Sequence, residues 1–106
     1  MPTEADPGRI LALLRDPNVE SQEVADAAGV PREEAARAAR LILGIARAKP
    51  EDLLTLPPAL ALAALRAAVE SRRPELLAAL AGHLAKDVAK EAKRALHLMK
   101  SRGVAV

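Results

Sequence analysis

The chain has 106 residues, of which 25 are alanine and 17 leucine, and its formal net charge is +2. It contains no cysteine, phenylalanine, tryptophan or tyrosine. Alanine and leucine favour helix, and the residues that favour strands are scarce, so the composition excludes a sheet-based fold, disulfide bonds and cysteine chemistry.

The length predicts one helical domain over residues 1–106, with residues 1–6 expected to be flexible. The first six residues carry acids instead of a basic and then apolar segment, which predicts no secretory signal. No apolar run approaches the roughly 20 residues that cross a bilayer. We therefore expect a soluble, cytoplasmic protein that does not contact membranes.

Six of the eight prolines stand where a helix would begin, since proline fits the first helical turn, where its missing N–H group is not needed. This spacing predicts an all-α, compact array of six to seven short helices. In chain order, the helices are predicted to begin at Asp6-Pro7, Ser21, Pro31, Pro50, Pro57-Pro58, Pro74 and about Ala85.

The helix ends are predicted from turn and capping residues. Asp16-Pro17 should end the first helix, and Gly29 should close the second in a left-handed conformation. Ser21 is expected to cap the second helix. The third helix should extend to about Ala48, the fifth to about Glu70 and the sixth to near Gly82. The last helix should extend to Ser101, with Gly103 beyond its end.

Without aromatic residues, the core must be built from leucine, valine, isoleucine, methionine and alanine. The helix from Pro58, in which leucines are accompanied by alanines nearly all round, is expected to be central. The predicted core consists of Leu14, Val24, Leu41, Ile45, Leu62, Leu65, Leu77, Leu80, Val88, Leu96 and Met99.

The segment from Pro74 to Met99 contains a short leucine-rich helix, a brief turn and a longer helix with the spacing V-x-x-x-A-x-x-A-L at Val88 to Leu96. This pattern resembles a HEAT repeat, and residues 11–28 resemble it more loosely. The resemblance implies an α-solenoid-like stack of helix pairs that binds other macromolecules. Any amphipathic helix also needs this spacing, which would place Leu84, Val88, Ala92, Ala95, Leu96 and Met99 on one buried face.

The last helix also carries a basic ridge, which we define as Lys86, Lys90, Lys93, His97 and Lys100. The intervals of 4, 3, 4 and 3 residues place these side chains on one side of the helix, opposite its apolar face. Such a ridge can meet phosphates or an acidic protein surface. The simpler interpretation is that the ridge is an ordinary solvent-exposed face without a binding role, because the helix dipole favours positive charge near a helix C-terminus.

Residues 21–40 resemble a bacterial helix-turn-helix, with Ala25 and Gly29 at its small-residue and turn positions. The resemblance implies binding in the DNA major groove by the second helix. That helix would begin with Glu33 and Glu34, whose carboxylates repel phosphates. A structural αα-hairpin is the alternative.

The sequence predicts no enzyme and no cofactor or metal site. Its two histidines, His83 and His97, lack further ligands at suitable spacing and are expected at the surface. No P-loop, dinucleotide fingerprint or nucleophile elbow is present.

Three functions follow from these patterns. The first is a non-catalytic protein-interaction or scaffold module with HEAT-like packing, whose partner is an unknown protein or a second copy of the chain through an exposed Ala/Leu face. The alternative is duplex nucleic-acid binding through the basic ridge or the helix-turn-helix-like segment. A small-molecule or lipid carrier with a cleft between alanine-rich helices is the third.

Overall fold

The computed structural model describes residues 6–101, and the regular structure within that range is entirely helical. The prediction of an all-α array is therefore confirmed. A 3₁₀ turn at Ile45–Arg47 separates the third and fourth of seven α-helices in this range: α1 (Pro7–Arg15), α2 (Ser21–Ala28), α3 (Arg32–Leu43), α4 (Pro50–Leu54), α5 (Pro58–Glu70), α6 (Pro74–Leu80) and α7 (Lys86–Ser101).

Proline marks the start of five of these helices, as the sequence predicts. A proline in the first turn loses no helical hydrogen bond and already has the backbone angle that the helix needs. The first helical turns of α1, α4, α5 and α6 begin at Pro7, Pro50, Pro58 and Pro74, and the N-cap positions of α3 and α5 hold Pro31 and Pro57.

Two predicted helix boundaries are wrong. Glu20, and not Ser21, is the N-cap residue of α2, and no side chain caps that end. Helix α3 ends at Leu43 instead of extending to about Ala48. Gly44 disfavours continued helix, and the chain tightens there into the 3₁₀ turn.

The start of the described chain is ordered by a helix cap. Asp6 is the N-cap residue of α1, and its carboxylate accepts a hydrogen bond from the backbone N–H of Gly8 at 3.3 Å. The expectation that residues 1–6 are flexible stays a prediction. Residues 1–5, and Gly103 after the last helix, lie outside the described residues.

Helix α5 lies at the centre of the fold, as predicted. It packs against α1, α3, α4, α6 and α7. Alanines allow the neighbouring helices to approach closely, because their side chains add little thickness to a helix. Its buried residues are Leu60, Ala61, Ala63, Ala64, Leu65, Ala67 and Ala68.

The predicted core is mostly confirmed, with errors at its edge. Leu41, Leu62 and Leu96 are only partly buried and pack against the core from outside. Leu53, Leu56 and Leu60, which the prediction omits, are buried where α4 and the start of α5 fold onto the rest of the protein. The confirmed members are Leu14, Val24, Ile45, Leu65, Leu77, Leu80, Val88 and Met99.

The sequence predicts Leu84 on the buried face of the last helix, and this prediction is wrong. Helix α7 begins at Lys86, and Leu84 lies in the preceding turn with 97% of its surface exposed. The helical period places Val88 and later residues on one face of α7, but it holds only within the helix, and Leu84 lies before it. The buried face of α7 therefore starts at Val88.

The helices pack into a flattened, elongated body with principal extents of 38 × 29 × 21 Å and a Cα radius of gyration of 13.0 Å. Helix α1 packs against α2 and α3 and also against the sequence-distant α5, while α6 packs against α7. The resemblance of α6 and α7 to a HEAT pair stays a prediction.

Candidate interaction surfaces

The five residues of the basic ridge are exposed on α7. The helix buries Val88, Ala92 and Met99 on its other side. Within residues 6–101, no ridge residue takes part in an ion pair, although the acidic side chains of Asp87 and Glu91 are also exposed on the same helix. The ridge therefore presents positive charge that is accessible to a partner.

The turn before α7 is fixed by the imidazole of His83. Its Nδ1 accepts a hydrogen bond from the backbone N–H of Ala85 at 2.9 Å, and its Nε2 lies 3.0 Å from the carbonyl oxygen of Leu56. The first contact requires an unprotonated Nδ1, so Nε2 carries the proton and donates to Leu56. His83 is half-buried, so the expectation of a surface histidine is wrong for this residue, whereas His97 is exposed as expected.

The His83 hydrogen bonds hold Leu84 in a defined position on the surface. Leu84 follows His83 directly and precedes Ala85, so both of its neighbours are part of the bonded turn. Three other leucines of the described chain also expose much of their surface: Leu43 (72%), Leu98 (47%) and Leu54 (37%).

The helix-turn-helix-like segment forms two helices joined by a short turn. Gly29 ends α2 with φ 70° and ψ 36°, the left-handed conformation that the sequence predicts. At the start of α3, Glu33 is exposed. Its carboxylate lies where a recognition helix would approach phosphates.

Arg37, on the middle of α3, is bound to another part of the protein. Its guanidinium donates hydrogen bonds to the hydroxyl oxygen of Thr55 at 2.6 Å and to the carbonyl oxygen of Thr55 at 2.9 Å. It also forms an ion pair with Glu34. Arg37 thus ties α3 to the end of α4, which competes with any contact to a DNA base.

Two open grooves lie between helices. The groove between α3 and α4 has a volume of about 300 Å³ and is lined by Arg37, Arg40, Leu41 and Asp52. The second, of about 210 Å³, is lined by Pro7, Leu62, Leu65, Arg66 and Glu91. Each combines a partly buried leucine with charges of both signs. Residues 6–101 contain no group of three or more acidic or histidine side chains arranged to hold a metal ion.

A second basic region, which the sequence analysis missed, forms where the turn between α5 and α6 meets the connector between α3 and α4. The guanidinium Nη1 of Arg73 donates to the carbonyl oxygens of Ile45 at 2.6 Å and Ala48 at 2.9 Å. Arg47 and Lys49 flank Ala48, and Arg72 precedes Arg73. We call Arg47, Lys49 and Arg72, whose side chains are exposed, the connector cluster.

Glu75 holds Arg73 from the other side. The Nε of Arg73 donates to a Glu75 carboxylate oxygen at 2.8 Å. Two hydrogen bonds lower the pKa of the Glu75 carboxyl below its ordinary value. The larger effect comes from the backbone of Glu75, and the smaller from the side chain of Arg73.

No helix in the described part of the chain is both long and apolar enough to span a membrane. Comparisons with protein-family models, with curated proteins and with solved structures found no match to this chain.

Proposed function

We propose that this chain is a non-catalytic protein-interaction module that docks its partner on Leu84 and the adjacent basic ridge. The observation that carries the proposal is the 97% exposure of Leu84 in a turn that His83 fixes with two hydrogen bonds. A leucine that is held in place loses little conformational freedom on binding, and its burial contributes about 1.5–3 kcal/mol.

The ridge indicates the charge of the partner. Lys86, the first ridge residue, lies two positions after Leu84, so an apolar anchor and a row of cations are adjacent. An acidic partner with an apolar pocket for Leu84 matches both features. A symmetric dimer through this surface would place lysines of one copy near those of the other, which disfavours self-association here. A homodimer through an exposed Ala/Leu face elsewhere stays a prediction.

Affinity capture from the native source, with and without nuclease, tests the proposal. We expect a partner that resists nuclease and that is lost when Leu84→Ala or the charge reversal Lys90→Glu/Lys93→Glu is used as bait. Leu43→Ala is the matched control, since Leu43 is also an exposed leucine, at 72%. Equal capture by Leu84→Ala and the unaltered protein would contradict the proposal.

Duplex nucleic-acid binding is the second candidate, and it is favoured by the accessible lysines of the ridge, which form no ion pair within residues 6–101. Four lysines neutralise up to four phosphates. The logarithm of the binding constant, plotted against the logarithm of the salt concentration, should then have a slope no steeper than about −3.6. We expect such binding to be independent of sequence and to disappear in Lys90→Glu/Lys93→Glu, with helicity unchanged. Sequence-specific binding that survives those changes but is lost in Arg32→Ala would assign recognition to α3 instead.

A further inference from the structure

We propose that the connector cluster binds a compact, multiply charged phosphate group, such as a diphosphate. The cluster is built by the fold, because the hydrogen bonds of Arg73 join two segments that are 25 and 28 residues apart in sequence. Three exposed cations are sequence neighbours of the joined residues: Arg47 and Lys49 flank Ala48, and Arg72 precedes Arg73. No ion pair within residues 6–101 includes any of the three.

Arg72 occupies a position that favours glycine. Its φ is 54°, and it is the only described residue other than glycine with a positive φ. The backbone N–H groups of Arg72 and Arg73 donate to the carbonyls of Val69 and Ala68, which close the end of α5 in a Schellman motif. Glycine adopts this conformation without the steric conflict that a Cβ atom causes.

The side chain of Arg72 gains no contact within the described protein that would compensate for this strain. Its side chain is exposed and makes no hydrogen bond or ion pair with residues 6–101. The Schellman hydrogen bonds are made by the backbone, and glycine would form them with less strain, so the arginine side chain adds nothing to this turn. We therefore assign the Arg72 guanidinium to a ligand.

The residue types of the cluster indicate a phosphate ligand. Arginine presents a planar set of N–H donors that matches phosphate oxygens, and a lysine adds a compact positive charge. The three cations flank residues that Arg73 joins at one junction, whereas the basic ridge follows the length of a helix, so we infer a compact anion and not an extended polymer. Arg73 already donates to two carbonyls and to Glu75, and its role is to hold the two segments together.

Titration of the ¹⁵N-labelled protein with pyrophosphate at constant ionic strength tests this site. We expect saturable amide shifts confined to residues 46–49 and 71–73. Arg72→Gly should weaken binding about tenfold, the effect of losing one charge-assisted hydrogen bond. The same change should raise the folding equilibrium constant about threefold, because glycine relieves the strain. Arg47→Gln should also weaken binding about tenfold.

Arg9→Gln is the matched control, since Arg9 is an exposed arginine of α1 that forms no ion pair within residues 6–101. Its affinity for pyrophosphate should be unchanged. If Arg9→Gln weakened pyrophosphate binding as much as Arg72→Gly does, or if amide shifts also spread along the lysines of α7, the binding would be a general attraction between charges. Either result would overturn the proposal. Binding of citrate as tight as that of pyrophosphate would overturn the assignment to phosphate.

Discussion

The Nε2 atom of His83 lies 3.0 Å from the carbonyl oxygen of Leu56, which joins two loops that are 27 residues apart in sequence. The other ring nitrogen accepts from the N–H group of Ala85, so one imidazole connects the loop after α4 to the start of α7. This link fixes the turn that exposes Leu84.

Removal of the imidazole should destabilise the protein. His83→Ala loses both hydrogen bonds, each of which contributes about 0.5–1.5 kcal/mol, so we expect the free energy of unfolding to fall by about 1–3 kcal/mol. The free energy of unfolding of His83→Asn should lie between those of the unaltered protein and of His83→Ala. The amide oxygen of the asparagine can still accept a hydrogen bond from the N–H group of Ala85, as in an Asx turn. Urea denaturation of the three proteins measures the series. An Asn variant no more stable than the Ala variant would contradict the assigned role of Nδ1.

Two leucines four positions apart should respond very differently to truncation. Leu80 is fully buried in α6, so Leu80→Ala should lower the free energy of unfolding by about 2–5 kcal/mol. Leu84→Ala removes a side chain that contacts almost nothing, and the change should remain within about 0.5 kcal/mol. Thermal or urea unfolding checks both. A loss in Leu84→Ala as large as that in Leu80→Ala would place Leu84 in the core after all.

Gly29 and Gly44 provide a test of backbone conformation. Gly29 has φ 70°, so Gly29→Ala should lower the free energy of unfolding by about 1–2 kcal/mol, although nothing lies within 4 Å of the added Cβ atom. Gly44 has φ −103°, and its added Cβ atom would meet only the Arg40 carbonyl oxygen at 3.5 Å. Gly44→Ala should therefore leave stability unchanged or raise it by up to about 1 kcal/mol. Equal losses from both changes would contradict the left-handed conformation of Gly29.

The lowered pKa of Glu75 predicts a small dependence of stability on pH. A carboxyl whose pKa is lower in the folded than in the unfolded state stabilises the fold above its unfolded value, and this contribution is lost as pH falls through the folded value. Acidification below the ordinary value of 4.5 should therefore remove the contribution of Glu75. Glu75→Gln should be less stable than the unaltered protein near neutral pH, and the difference should shrink in acid. Melting temperatures across this pH range measure the effect, and a difference that grows in acid would contradict it.

Local signals in the sequence determined where most helices begin and end. Proline at the start of α1, α4, α5 and α6 acts within a single turn, since it fixes its own backbone angle whatever packs against it. Gly29 also acts locally, because glycine adopts the left-handed conformation that ends α2 without steric conflict. Where local signals compete, the sequence predicted the end of a helix less well. Ile45 and Ala46 continue a helical pattern after Gly44, yet the chain forms a 3₁₀ turn there.

The period of a long helix predicts part of its buried face. Val88 and Met99 follow the period of α7 and are buried as predicted. Helix α4 has five residues, too few to define an apolar face, and the burial of Leu53 depends on the packing of α4 against α5 and α6.

The basic ridge could be found from the sequence, because residues three and four apart on one helix are always neighbours. The connector cluster could not, since Arg47 and Arg72 belong to different segments, which the hydrogen bonds of Arg73 to Ile45 and Ala48 bring together. Most helix boundaries and the ridge thus depend on interactions within one or two turns, which the sequence determines by itself. The exposure of Leu84, the role of His83 and the junction at Arg73 depend on contacts between distant segments, and only the tertiary structure decides which segments those are.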